Sequence, residues 1–291
     1  MKKILLSGAA VVLLSGCQQV QDWSGDLFGQ KQETEEVKKD QDLAKDQKKT
    51  SEPEENEKGT GQEQDDSTNE NQEEIPPELL LEGEFFNKVE VVDGKKVIQN
   101  PANILALVNK EFALGEYKPD DLVRPNVPFL FGNQDLEKAY IRQDAATALE
   151  NMFAEAKKQN VELVAVSGYR SYDYQEMLLE REIQQFGKEK AVKAVAPPGQ
   201  SEHQSGLAMD ISSESNNFQI DIAFGQTVEG KWLSANAHKF GFILRYPEDK
   251  VDITLYQYEP WHFRYVGKEA AKVIYENEWT LEEYFQNVKE I

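Results

Sequence analysis

Two short stretches of this 291-residue chain hold most of the side chains that could do chemistry together. Ser201-Glu202-His203-Gln204-Ser205-Gly206-Leu207-Ala208-Met209-Asp210 sets an imidazole and a carboxylate seven residues apart, across a glycine and just ahead of Ile211. Further on, Glu259-Pro260-Trp261-His262 adds a second imidazole and another carboxylate. His203, Asp210 and His262 form an N/O set that suits a catalytic zinc with one coordination position left open for water. Glu259 lies close in sequence to His262, where a general base would be useful.

Each assignment has a rival. A carboxylate within Leu-Ala-Met-Asp-Ile is expensive to bury unless it is paired or bound to a cation. Asp210 is therefore either a ligand or a structural aspartate hydrogen-bonded to loop amides, and spacing does not choose. Glu259 and His262 are three apart, so strand periodicity would aim them at opposite faces; one site needs a turn or bulge at Pro260. Arg170 falls between a strand end and a helix start, well placed to face a cleft, against the alternative of a surface ion pair. The third histidine, His238, sits beside Lys239 in a helical stretch and reads as a surface or packing residue.

The elements that must position these groups follow from pattern. Residues 161–166 are an apolar, β-rich run that ends at Ser167-Gly168-Tyr169-Arg170, where Ser171 can cap a helix running to Gly187. Pro197-Pro198-Gly199 forces a loop into the His203 stretch, and residues 207–211 read as a strand. A short helix over 230–240 stops at Gly241, a strand follows over 242–246, and residues 256–265 are aromatic and extended around Pro260. Two closing helices are expected, one over 268–277 and one capped by Thr280 with Glu283 in the capping-box position. Earlier, residues 88–98 alternate around Asp93-Gly94, a strong hairpin signal. Residues 101–128 read as irregular, and Ile141, Ala145, Ala148, Leu149, Met152, Phe153 and Ala156 recur at helical spacing as a core stripe. Helices and strands alternate without a regular βαβ repeat, which predicts a single α+β domain, with a central, mainly antiparallel sheet flanked by helices.

Composition shifts sharply toward the N-terminus. Residues 18–78 hold nineteen acidic residues against seven lysines, a net of −12 out of −21 for the chain. Between Lys31 and Glu74 the only apolar side chains are Val37, Leu43 and Ala44, too few to offset the entropy of ordering. No basic patch is visible to neutralise phosphates, so nucleic acid is excluded as an expected partner. The single cysteine, Cys17, rules out an intramolecular disulfide. It follows a short positive segment, an apolar run over 4–14 and Leu14-Ser15-Gly16, which resembles the lipobox of bacterial lipoproteins. The expected organisation is a lipoprotein signal over 1–16, a disordered acidic linker over 17–78 and a folded domain over 79–291. Lipid on Cys17 would anchor the chain to the outer face of the bacterial cell membrane.

Ser201-x-His203-x-x-Gly206-x-Ala208-x-Asp210, together with Glu259-Pro260-Trp261-His262-x-Arg264-Tyr265-Val266-Gly267, resembles the VanY-type and LdcB-type zinc carboxypeptidases of bacterial cell walls. Ser167-Gly168-Tyr169-Arg170-Ser171-Tyr172-x-x-Gln175 resembles that family's substrate-binding segment, and the stretch from Leu107-Val108-Asn109-Lys110 through Tyr117-x-Pro119-Asp120-Asp121-Leu122 extends the likeness to residues 104–267. The resemblance implies one zinc on His203, Asp210 and His262, Glu259 as the base for water, and Arg170 for the oxyanion or a terminal carboxylate. It also implies Gln175 and Ser201 as holders of the terminal residue. The substrates would be peptidoglycan stem peptides losing a terminal D-alanine, with D,D against L,D preference left open. A cross-bridge endopeptidase with an open groove and a non-catalytic wall-binding lipoprotein are the rivals; retention of every reactive group stands against the second. One departure stands out: Leu255 precedes Tyr256 where relatives usually have glycine.

Overall fold

The computed structural model describes residues 75–291; the expected signal, Cys17 and most of the acidic linker lie outside the described residues. At the centre is a four-stranded sheet ordered Val164–Ser167, Ala208–Ser212, His262–Tyr265 and Phe242–Leu244. Every neighbouring pair in it runs antiparallel. With helices packed around this sheet, the domain is α+β as expected.

Alternation along these strands makes two unlike faces. Met209, Ile211 and Phe263 point into an apolar cluster with Leu149, Met152 and Phe153 of helix Gln143–Lys158, all fully or nearly fully buried. Asp210, His262 and Arg264 take the other face, with His262 directly opposite Asp210 and Arg264 opposite Ala208. A second apolar cluster joins Ile243 and Val266 to helices Lys268–Glu276 and Leu281–Asn287. Leu80–Leu81 closes against Lys289–Glu290 in a short parallel pair.

Local signals set many boundaries. Ser171 accepts a hydrogen bond from Tyr174 N (3.3 Å) and starts helix Tyr172–Phe186, which ends at Gly187 with φ +82°. The capping box of Thr280 and Glu283 is complete at the start of Leu281–Asn287. Asp93 and Gly94, both at positive φ, turn the hairpin Val89–Val92/Lys95–Ile98. Four expectations are corrected. Ile141 belongs to a short strand, Ile141–Arg142, paired with Leu122–Val123 before the helix begins. A further helix, Lys188–Ala194, follows Gly187. The helix expected over 230–240 is α-helix Val228–Asn236 followed by a tighter turn, Ala237–Phe240. The extended stretch over 256–265 is strand only at His262–Tyr265, because Pro260 has no N–H to give a ladder and sits in a turn.

Candidate active site

His203 lies on the short 3₁₀ turn Glu202–Ser205, which ends at Gly206 in the left-handed region (φ +69°). A Cβ at Gly206 would also come within 2.9 Å of Arg142 and Leu122, so both conformation and space demand glycine between His203 and the Asp210 strand. The His203 ring is held through Nδ1, 2.7 Å from the carbonyl oxygen of Gly168. A carbonyl can only accept, so Nδ1 carries the hydrogen and Nε2 keeps its lone pair. Nε2 lies 3.4 Å from Asp210 Oδ2.

His262 is oriented from the opposite side. Its Nε2 is 3.2 Å from Glu202 Oε2, and its Nδ1 is 3.2 Å from Asp210 Oδ1. The turn required at Pro260 is present: His262 N–H donates to the Glu259 carbonyl (3.1 Å), closing Glu259-Pro260-Trp261-His262. That turn brings Glu259 Oε2 within 3.8 Å of His262 Nδ1. His203, Asp210 and His262 are 2%, 3% and 3% exposed, and one ligand atom from each lies within 4.8 Å of the others. Asp210 Oδ1 is buried, and its contact with His262 Nδ1 lacks hydrogen-bond geometry. Three buried donors facing one point, with an unsatisfied carboxylate oxygen among them, fit a metal cation and do not fit a hydrogen-bonded structural aspartate.

Electrostatics separates the two histidines. Burial, followed by the charge of Arg170, lowers His203 to about 4. Burial also opposes a charge on His262, but the adjacent carboxylates of Asp210 and Glu202 outweigh it and raise the group to about 9. The difference follows from partners: His203 spends one nitrogen on a neutral carbonyl, whereas His262 sits between carboxylates. Burial likewise opposes ionisation of Asp210, yet the two imidazoles hold it well below the usual carboxylate range. Glu259 moves the other way, to about 7, because burial outweighs the opposing charge of His262, with 27% of its side chain still open to solvent.

The remaining expected residues gather nearby. Arg170 is half-buried, its backbone N–H reaches His203 O (3.3 Å), and its Nε is buried without a partner. Gln175, 2% exposed, donates from Nε2 to Ala196 O (2.8 Å), leaving its Oε1 buried and unpartnered. Ser201, 6% exposed, stands at the start of the His203 turn, and its hydroxyl does not cap that turn. His238 is apart from the cluster and stacks on Tyr275 with ring centroids 3.6 Å apart. Leu255 takes the left-handed conformation (φ +62°, ψ +15°) at the end of the short helix Val251–Thr254.

Sequence reasoning missed a buried ionic network behind His262. Glu202 Oε1 accepts from Arg245 Nε (2.8 Å) and Arg264 Nη1 (2.7 Å). Arg245 spends its other edge on Glu282, at 2.8 and 2.6 Å. Arg264 gives Nη2 to the carbonyls of Ile104 (3.0 Å) and Ala106 (2.9 Å). The available signal was an arginine inside each of two apolar strands, Phe-Ile-Leu-Arg-Tyr and Phe-Arg-Tyr.

A buried His/Asp/His cluster beside a carboxylate and an unpartnered arginine places the chain among the metallocarboxypeptidases, and it belongs to the VanY family. The family model for D-alanyl-D-alanine carboxypeptidase matches residues 138–268. YodJ of Bacillus subtilis (strain 168) is 54% identical over 251 residues, covering 86% of this chain and 89% of that protein. A solved LdcB LD-carboxypeptidase is 58% identical, covering 73% of this chain and all of its own, with a TM-score of 0.71. A mutant of the vancomycin resistance D,D-pentapeptidase VanY, solved with Zn(II), is 32% identical over 62% of this chain and 98% of its own, with a TM-score of 0.51.

Proposed function

We propose that this carboxypeptidase is zinc-dependent and removes the C-terminal D-alanine from peptidoglycan stem peptides. The observation that carries the reading is the convergence of His203 Nε2, His262 Nδ1 and the unpartnered Asp210 Oδ1 beside Glu259. These three atoms would hold a single zinc. When bound, zinc acidifies water and polarises a carbonyl.

The protein's own groups do the rest. Glu259, raised to about 7, takes a proton from the attacking water and returns it to the departing amine. Arg170, whose Nε has no partner, would serve the developing oxyanion or a terminal carboxylate, which a planar guanidinium can meet with two parallel donors. Gln175 offers Oε1 as an acceptor for a substrate N–H, its amide fixed by the bond to Ala196 O. Ser201 adds a hydroxyl at the start of the His203 turn.

Greater identity to the LdcB LD-carboxypeptidase than to the D,D-pentapeptidase favours the tetrapeptide stem as the preferred substrate. Lipid attached at Cys17 would hold the enzyme at the outer face of the cell membrane. The test is to incubate the zinc-loaded protein with defined tetrapeptide and pentapeptide stems and weigh the products. Loss of one alanine, faster from the tetrapeptide, is expected. Release from neither stem would sink the reading, and cutting of cross-linked dimers instead would make the enzyme an endopeptidase.

A further inference from the structure

We infer that Glu202 and Glu282 are positioning residues of the metal centre, so that the C-terminal helix Leu281–Asn287 is part of the active-site apparatus. The inference rests on the metal-centre reading above and extends it, through Glu282, beyond the 138–268 segment that the family model matches.

The network contains two carboxylates and two guanidinium groups, with Glu202 at 1%, Arg245 and Arg264 at 0% and Glu282 at 9% exposure. Its two negative and two positive charges cancel, and loss of any single member leaves a net charge buried. Glu202 uses both oxygens, one for the two arginines and one for His262 Nε2. An acceptor at Nε2 keeps a hydrogen on that nitrogen, so Nδ1 is the nitrogen left to serve a bound metal. A carboxylate acceptor also makes Nδ1 a stronger donor to a cation.

Glu282 acts one step further back. Arg245 has two acidic partners, Glu202 and Glu282, and the paired bonds to Glu282 occupy its far edge. Remove the Glu282 charge and Arg245 draws on Glu202 alone, pulling negative charge from the oxygen that serves His262. Arg264 is a poor substitute, since its Nε and Nη2 are tied to the carbonyls of Tyr265, Ile104 and Ala106. The chain thus passes from the terminal helix through Arg245 and Glu202 to one ligand nitrogen.

The experiment compares Glu282→Gln, Glu202→Gln and a control, Glu283→Gln, in the full chain. Glu283 sits on the same helix but serves Lys250 and the capping box, so its loss weakens the helix without touching the network. Zinc dissociation constants are measured by chelator competition, the cobalt-substituted protein by visible absorption, and alanine release as kcat and KM. Glu282→Gln is expected to weaken zinc binding about 10-fold, within the range for outer partners of a ligand, to alter the cobalt spectrum and to lower kcat with KM unchanged. Glu202→Gln should do more, and if it does not fold, Glu282→Gln still decides. Glu283→Gln should lower the melting temperature and leave zinc affinity and spectrum alone. The inference is overturned if Glu282→Gln keeps its zinc affinity within about twofold with the same spectrum, if it merely unfolds, or if Glu283→Gln matches its effect on zinc. A wild-type protein that takes up no zinc would instead defeat the metal-centre reading itself.

Discussion

The two faces of the central sheet are built by the same strands under different rules. On one face Met209, Ile211 and Phe263 meet Leu149, Met152 and Phe153, and any apolar set of similar volume would serve. On the other, Asp210, His262 and Arg264 alternate with those same residues, and each needs a specific partner in a specific place. Dispersion and water exclusion are non-directional, so the apolar face tolerates exchange. Buried charge is directional, and an ion left without its partner is strongly destabilising.

The largest expected effect lies on the polar face. Asp210→Asn should lose zinc and activity together, while Met209→Leu, one residue away on the other face, should keep both at a cost under about 1.5 kcal/mol. Glu259→Gln should retain about one zinc by metal analysis and lose roughly 10²–10⁴ in turnover, the range for a positioned acid–base group. If Glu259→Gln loses its metal, Glu259 is a ligand; if it keeps most of its turnover, the base is elsewhere.

The apolar face should show the reverse pairing of effects. Leu149 is 0% exposed in the main cluster, so Leu149→Ala should cost about 2–5 kcal/mol in denaturant unfolding. Zinc affinity of the folded fraction should stay unchanged, because the cluster around Leu149 includes no ligand or ligand partner. A large drop in metal affinity would mean that the two faces are coupled through the strands.

This contrast also explains what the sequence disclosed. Caps and turns such as Ser171, Gly187, Thr280 with Glu283, and Asp93-Gly94 are local, so spacing reveals them. The three convergent donors were legible as residue types, and the family resemblance supplied their grouping. The turn at Pro260 had to be inferred from the demand that Glu259 and His262 share a site, and the structure supplies its hydrogen bond. The Glu202 network was not legible, because its bonds join residues 37, 43 and 62 apart and no local period marks them. A buried arginine shows that a partner exists but not which acid answers it.

Protonation gives a smaller and gradual effect. With His262 raised to about 9, the metal-free protein at pH 7 carries a proton that a zinc ligand cannot keep. Zinc loading at pH 7 should therefore release about one proton, read by calorimetry in buffers of different ionisation enthalpy. The folded-state value lies above the ordinary 6.5, so this proton stabilises the metal-free fold fully below that pH and ceases to as pH rises through about 9. Apparent zinc affinity should climb across the same window. Affinity flat between pH 6.5 and 9, with no proton released, would show that His262 is already neutral before metal arrives.

The smallest effect concerns the turn that leads into the Glu259 segment. Leu255 holds φ +62°, where a side chain costs roughly 1–2 kcal/mol relative to glycine. The residue is 57% exposed, so little burial offsets that strain. Its N–H donates to Val251 O (2.9 Å), and the next residue, Tyr256, bonds Thr254 Oγ1 (3.3 Å) and stacks near Tyr246 at 4.6 Å, so neighbours fix the turn whatever residue fills it. Leu255→Gly removes the strain but gives the unfolded chain more freedom, worth about 0.4–1 kcal/mol in the opposite direction. The net expectation is a gain of about 0.5–1 kcal/mol in denaturant unfolding, with unchanged zinc content and turnover. A loss of stability would mean that the exposed leucine makes contacts worth more than its strain. A loss of turnover at equal stability would mean that the stiffer backbone of leucine helps hold Glu259 in place.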